Sequence, residues 1–324
     1  MSISSATAKC QLGRETTPGT AVAATTIWRG MTRMDDLRDI RRADEEVGRY
    51  AGRGRTYTAS LGAQVNMPSQ VATFEQILHI FEAGVQTVTP SGTEAPFTYS
   101  YAVSKASEAT IKTYTLEVGD GEDAEEAEYC FVESFELTGS VDEALMVTAT
   151  WRGRQVTQGI TFTAALTLPA IEEILFNEGK LYIDDSEGTI GTTQVSSSFK
   201  EFSLKVTTGW AAKTTGDGEL YFTFHEMTRP AITLDITAEH TSDWDSAGEK
   251  AKWAAESWRL VRLQFDGTSS RQLTLDVAGK WDKFNAIEDG DGTRVLTGTM
   301  TVEDSSADSL FAEFEVKCAL ASVP

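Results

Sequence analysis

The residues best suited to chemistry are few, and their spacing suits little of it. Two acidic, glycine-bearing runs, Gly119-Asp120-Gly121-Glu122-Asp123 and Asp289-Gly290-Asp291-Gly292, carry carboxylates of the kind that hold calcium. Neither has the EF-hand spacing or its closing Glu, so a solvated turn and a hairpin turn explain them better. Of the three histidines, His79 adjoins an apolar stripe and reads as a packed side chain rather than a base; the others are His225 and His240. Cys10, Cys130 and Cys318 are odd in number and far apart, with no CxxC or Cys/His zinc spacing, which fits a reducing compartment. No HExxH, GxSxG, Walker loop or GxGxxG after a strand is present. No catalytic, cofactor or metal residue is assigned and no cofactor is expected. A hydrolase built from Asp and Glu alone is the weakest of the readings.

The chain that carries these residues has 324 positions, 40% of them apolar, with 28 Lys+Arg against 49 Asp+Glu and a formal charge of −21. That composition is globular, which excludes wholesale disorder and fibrous repeats. So negative a body repels phosphate and argues against adhesive nucleic-acid binding. The first residues lack the apolar core of a signal peptide, and no window reaches the roughly 18 apolar residues of a membrane span. Neither a signal peptide nor a membrane anchor is expected.

Short alternating segments rich in Val, Thr, Phe and Tyr dominate, among them 57–65, 113–118, 130–137, 145–151, 199–206, 220–224, 231–238, 260–265, 273–277, 295–302 and 310–320. Period-2 alternation bounded by Gly, Asp or Ser predicts antiparallel β-structure. Helical periodicity occurs twice. Pro68-Ser69 followed by Val71, Phe74, Ile77, Leu78 and Phe81 predicts a helix over 69–84, and a Trp/Ala stripe predicts another over 243–258. Each helix follows a strand, so two tandem units are expected, 1–159 and 160–324, with net charges of −8 and −13. Between Trp28 and Arg55 eight arginines alternate with six acids, which predicts an exposed loop or long hairpin over 28–57. From Glu117 to Glu143 there are eleven acids and no base. The two blocks read either as solvated surfaces or as complementary contacts between identical subunits.

Three stretches then carry a resemblance. They are GRETTPGTAVAATTIWRG (13–30) before the Arg-rich segment, TASLGAQVNMPSQVATFEQILHIFEAG after it, and CFVESFELTGSVDEALMVTATWRGR (130–154). Together they resemble the major tail tube proteins of long-tailed bacteriophages, most strongly in the first half. The resemblance implies a mainly β chain of β-sandwich or barrel units, each with one flanking helix, whose inner sheets join those of neighbours around a channel. It also implies that the long hairpin of the first unit reaches the adjacent ring. The candidate inter-ring contacts are then Arg29, Arg33, Arg38, Arg41, Arg42, Arg49, Arg53 and Arg55.

If both units line the channel, three chains form a pseudo-hexameric ring of about 24 strands, with a backbone diameter of roughly 48 Å and a bore of about 38 Å. Duplex DNA passes such a bore without specific binding. A six-chain ring is the alternative. An acidic lumen would avoid the counterion-release attraction that stalls a polyanion. Glu133, Glu136, Asp235, Glu239 and Asp276 lie opposite apolar positions of predicted strands and are the candidates to face it. Further implied partners are the tape measure, distal tail and tail terminator proteins, with no membrane, assembly in the host bacterial cytoplasm and a final place in the virion tail. The competing function is a carbohydrate- or cell-surface-binding β-sandwich of a phage tail using the seven tryptophans as stacking platforms. Long edge strands would be a liability in a free monomer. The subunit is therefore expected to stay monomeric, its Arg-rich hairpin mobile, until assembly is nucleated.

Overall fold

The computed structural model describes residues 5–50, 54–120, 122–290 and 292–324. Its first half contains β1 (Lys9–Arg14), β2 (Thr26–Trp28), β3 (Arg33–Asp36), β4 (Asp39–Ala43), β5 (Arg55–Ser60) and β6 (Ala63–Val71). Helix α1 (Ile77–Gly84) follows, then β7 (Phe97–Ala102), β8 (Tyr114–Gly119), β9 (Ala124–Ser140), β10 (Met146–Gly153) and β11 (Val156–Gln158). The second half contains β12 (Gly179–Asp185), β13 (Gln194–Val195), β14 (Phe199–Thr207), β15 (Trp210–Lys213), β16 (Phe224–Met227) and β17 (Ala231–Glu239). Helix α2 (Glu249–Ala254) precedes β18 (Arg259–Asp266), β19 (Gln272–Phe284), β20 (Glu288–Gly290), β21 (Thr293–Val302) and β22 (Ala312–Cys318). The fold is mainly β, as the alternation predicts, and its sheets are open rather than closed into a barrel.

Two long strands organise it. The first part of β9 pairs with β8 and β11, and β8 leads through β1 to β2 in an outer sheet. Past Tyr129, whose φ of 58° interrupts the strand, β9 joins β10, then β6, then β3 in an inner sheet. The second half has the same order of pairings. The first part of β19 pairs with β18 and β22, and β18 leads through β12 to β13. The last part of β19 joins β21, then β17, then β14. A hairpin interrupts each inner sheet at the same point, β4–β5 between β3 and β6, and β15–β16 between β14 and β17. Even the bulges correspond, at Glu133 in β9 and Asp282 in β19.

The halves share one core. β9 pairs along its far side with β14, from Ser134 opposite Thr207 to Ser140 opposite Glu201, so the inner strands form one sheet in the order β3-β6-β10-β9-β14-β17-β21-β19. The outer strand β22 likewise pairs with β7 of the first half. Inner and outer sheets stack through aromatic contacts, Tyr114 against Trp151 at 5.6 Å and Phe202 against Phe265 at 5.4 Å between ring centroids.

Several elements differ from the sequence expectation. α1 starts at Ile77 rather than at residue 69, because Pro68-Ser69 lies in β6 where the register with β10 shifts. A proline is tolerated at such a bulge, where the ladder is already broken. α2 is confined to Glu249–Ala254, since Asp245 closes a turn on the N–H groups of Ala247 and Gly248 at 2.7 and 3.1 Å. The Arg-rich hairpin is β4–β5, while the earlier residues of 28–57 enter β2 and β3. Residues 220–223 are not strand, and β16 begins at Phe224.

Candidate assembly interface

The seam between β9 and β14 is built like core. Alternation turns Phe135, Leu137, Leu204 and Val206 inward, where all four are buried. On the opposite face Ser203 donates to Glu136 at 2.7 Å, and Lys205 lies 3.7 Å from the same carboxylate. Beyond the last ladder pair, the Thr208 N–H donates to the Glu133 carbonyl at 3.0 Å, and its hydroxyl lies 2.8 and 2.9 Å from the Val132 and Glu133 carbonyls. Trp210 follows, 4% exposed, in a cluster with Tyr129, Phe131 and Phe222, and its indole N–H donates to the Gly84 carbonyl at the end of α1 at 3.0 Å. Every residue of α1 is buried. Phe81 on that helix meets Phe135 and Phe314 at 5.5 and 5.3 Å, so the helix wedges between the two halves.

At the two ends of the inner sheet the same parts lack a counterpart within the chain. Among the described residues β3 pairs with β6 alone, and the last part of β19 pairs with β21 alone. Aligning Val65 opposite Trp151 with Leu234 opposite Met300 places Met34 at the position of Leu204, Asp36 at Val206 and Arg38 at Thr208. The same alignment sets Ile40, opposite Thr58, at the position of Trp210, opposite Met227. Ile40 is 60% exposed. On the other margin Asp282 stands at the position of Glu133, and Phe284 at that of Phe135. α2 there has a single buried residue, Glu249, in contrast to α1.

The sequence-expected acids fall in three places. Glu136, Asp235 and Glu239 share the polar face of the inner sheet, where Thr299 donates to Asp235 at 2.5 Å and Lys200 pairs with Glu239 at 2.8 Å. Glu133 occupies the β9 bulge, and burial raises its carboxyl above the ordinary range against the pull of Arg152. Asp276 lies elsewhere, in the outer-sheet part of β19, buried and held by two bonds from Arg262 at 2.7 and 2.6 Å. Sequence reasoning missed the hydroxyls that dominate the polar face. Thr148, Thr150, Thr233, Thr237, Thr297, Thr299 and Thr301 alternate with core positions, a signal visible in ATLT-like runs such as VTAT and LTGTMT.

The arginines are spread along the exposed arm. Arg29 donates to the Pro169 carbonyl at 3.3 Å, Arg33 lies on β3, and Arg42 and Arg49 are exposed. Arg38 lies 3.4 Å from Asp36, Arg41 lies 2.8 Å from Asp39, and Arg55 pairs with Glu45. Arg53 lies outside the described residues. Beside them Val47, Tyr50 and Tyr57 are exposed apolar or aromatic groups on the same arm as Ile40.

The acidic block is not simply a solvated edge. Glu117 is buried and accepts from the Thr163 N–H and hydroxyl at 2.8 and 2.6 Å. Glu126 lies opposite Glu117 in the ladder; burial, then Glu117, Glu128 and Glu15, raise its carboxyl. The Asp120 run is a turn in which Asp120 accepts from the Glu122 and Asp123 N–H groups at 2.9 and 3.0 Å. Asp289 accepts similarly from Gly292 at 3.0 Å, while Gly121 and Asp291 lie outside the described residues. His79 is packed 3.1 Å from the Tyr114 hydroxyl, and burial lowers its ring to about 3. Glu15, from the GRETTPG stretch, accepts from Gly19, Thr113, Thr115 and Tyr129, which makes that motif structural.

These features define a β-sheet subunit whose inner sheet ends on two open margins that match an internal joint. Five of the seven tryptophans (Trp28, Trp151, Trp210, Trp244 and Trp281) are buried, so they do not line a binding groove. The family model for phage tail tube proteins matches residues 5–318, and the chain belongs to that family, whose members are structural components of the virion tail. No curated protein matches the chain. Among the described residues no helix is long and apolar enough to cross a membrane.

Proposed function

We propose that the chain is a major tail tube subunit made of two tandem units, 1–159 and 160–324, and that identical copies join edge to edge through the last part of β19 and β3 of the next chain. The observation that carries this reading is the β9–β14 seam, an internal example of the same joint between corresponding strands. Transferring its register pairs Asp36 with Phe284 and Asp35 with Asn285 of the neighbour. The base of the β4–β5 arm then docks as β15–β16 does, Ile40 taking the place that Trp210 occupies inside the chain. Its outer part, with Arg49 and Arg55, extends toward the next ring.

Each chain contributes eight inner strands, four from each unit. Three chains therefore supply about 24 strands, enough for a bore that clears duplex DNA. The polar face becomes the lumen. Its hydroxyls and its acids Glu136, Asp235 and Glu239 share the face with Lys205 and Lys200, held by Glu136 and Glu239, and with Arg33, Arg152 and Lys283, so phosphate meets hydroxyls and mixed charge rather than an unbroken cationic row. Tape measure, distal tail and tail terminator proteins complete the tail during assembly in the host cytoplasm. Negative-stain electron microscopy of the purified protein tests this. Rings or hollow filaments with three chains per ring are expected; rings of six chains, or a protein that stays monomeric beside a tail template, contradict it.

A further inference from the structure

The lane beside the β9 margin is filled by Thr208. Its N–H meets the Glu133 carbonyl at 3.0 Å, and its methyl packs so close to α1 that a Cβ on Gly84 would lie 3.1 Å from it. The corresponding lane beside the β19 margin is filled by a different group, the indole of Trp253 from α2. Its N–H donates to the Asp282 carbonyl at 3.0 Å, and its ring packs 5.9 Å from Phe284. On the opposite margin one donor is bonded internally as well. The N–H of Arg38, the residue at the position of Thr208, donates to the Asp36 carboxylate at 2.9 Å.

Resting on the proposed edge-to-edge joint, we infer that Trp253 is an autoinhibitory latch. In the free subunit its indole occupies the acceptor and the lane that the Arg38 segment of a second copy must enter. Joining requires the indole to swing away, exchanging the Trp253–Asp282 bond for one from the Arg38 N–H of the incoming chain. The Asp36–Arg38 bond closes the donor in the same way. Because one acceptor and one donor of the joint are already bonded within the free subunit, an unnucleated encounter gains less net hydrogen bonding, and the subunit stays monomeric at low concentration.

The test compares wild type, W253F, which keeps an aromatic ring on Phe284 but removes the N–H, and R38P, which removes the incoming donor. Concentration-dependent sedimentation gives the assembly threshold, and thermal melting checks that each variant folds. W253F is expected to assemble at a threshold about threefold to tenfold lower than wild type, the effect of one hydrogen bond lost from the free state. R38P is expected to raise it. A W253F threshold equal to or above that of wild type, or W253F remaining monomeric throughout, overturns the latch. Assembly that R38P leaves unchanged sinks the edge-to-edge reading itself, whereas sensitivity to R38P with no effect of W253F removes the latch alone.

Discussion

Trp210 and Ile40 occupy matching positions at the base of two hairpins, one buried inside the chain and one exposed, and their truncation separates folding from assembly. A tryptophan buries about 150–250 Å², which at about 25 cal/mol/Å² amounts to roughly 4–6 kcal/mol of gross transfer energy. Partial collapse of the cluster around Phe131 and Phe222 offsets some of this, and loss of the indole bond to Gly84 adds to it. W210A should therefore destabilise the monomer by about 3–5 kcal/mol. I40A removes a side chain that is 60% exposed and should stay within about 0.5 kcal/mol of wild type. Guanidinium unfolding of dilute monomer measures both, and sedimentation at higher concentration measures assembly. I40A should fold normally yet assemble poorly. The reasoning is refuted if W210A costs less than about 1 kcal/mol, or if I40A assembles as wild type does.

Acidification gives a second prediction. Glu126, Glu128 and Glu133 are each raised, first by burial, so their charged forms oppose folding at neutral pH. Stability should rise as pH falls from 7 through these raised values and stop rising near the ordinary carboxylate range of about 4. Asp184 has the opposite sign. Burial opposes its charged form, but donors from Thr192 and Thr193 outweigh it and lower its pKa, so that contribution is lost only below the ordinary range. E126Q should raise the pH 7 melting temperature and flatten the rise; an unchanged slope contradicts the assignment. A third prediction concerns the lumen. T150K/T297K places cations on the polar face, and assembled tubes should then retain duplex DNA at low salt and release it as salt rises. Retention equal to that of wild type argues that this face lies outside the channel.

Much of this architecture is legible in the sequence because one face of most inner strands is core. The alternation is complete in β10 and β17 and holds in β21 from Val295 onward, and their positions follow from it. β1 carries no such signal, since four successive residues, Cys10 to Gly13, are buried. The same cause misplaces Asp276. Alternation sets it opposite Leu275 and Val277, but the first part of β19 is covered on both faces, so a polar position there meets Arg262 rather than a lumen. Pro68 mimics a helix start because a proline marks a bulge as readily as a first helical turn. The seam is invisible to local pattern, since Ser140 and Glu201 meet across a long loop of sequence that only the folded chain brings together.

The joint between copies is tested most directly by covalent capture. Asp35 and Asn285 correspond to Lys205 and Glu136, which face each other across the internal seam. The native cysteines Cys10, Cys130 and Cys318 are all buried and leave the reporter pair distinct. Oxidising assembled D35C/N285C tubes should give a denaturing-gel ladder that ends at a closed trimer, with no cross-link in dilute monomer. A ladder continuing to six chains, or efficient cross-linking within the monomer, would contradict the account.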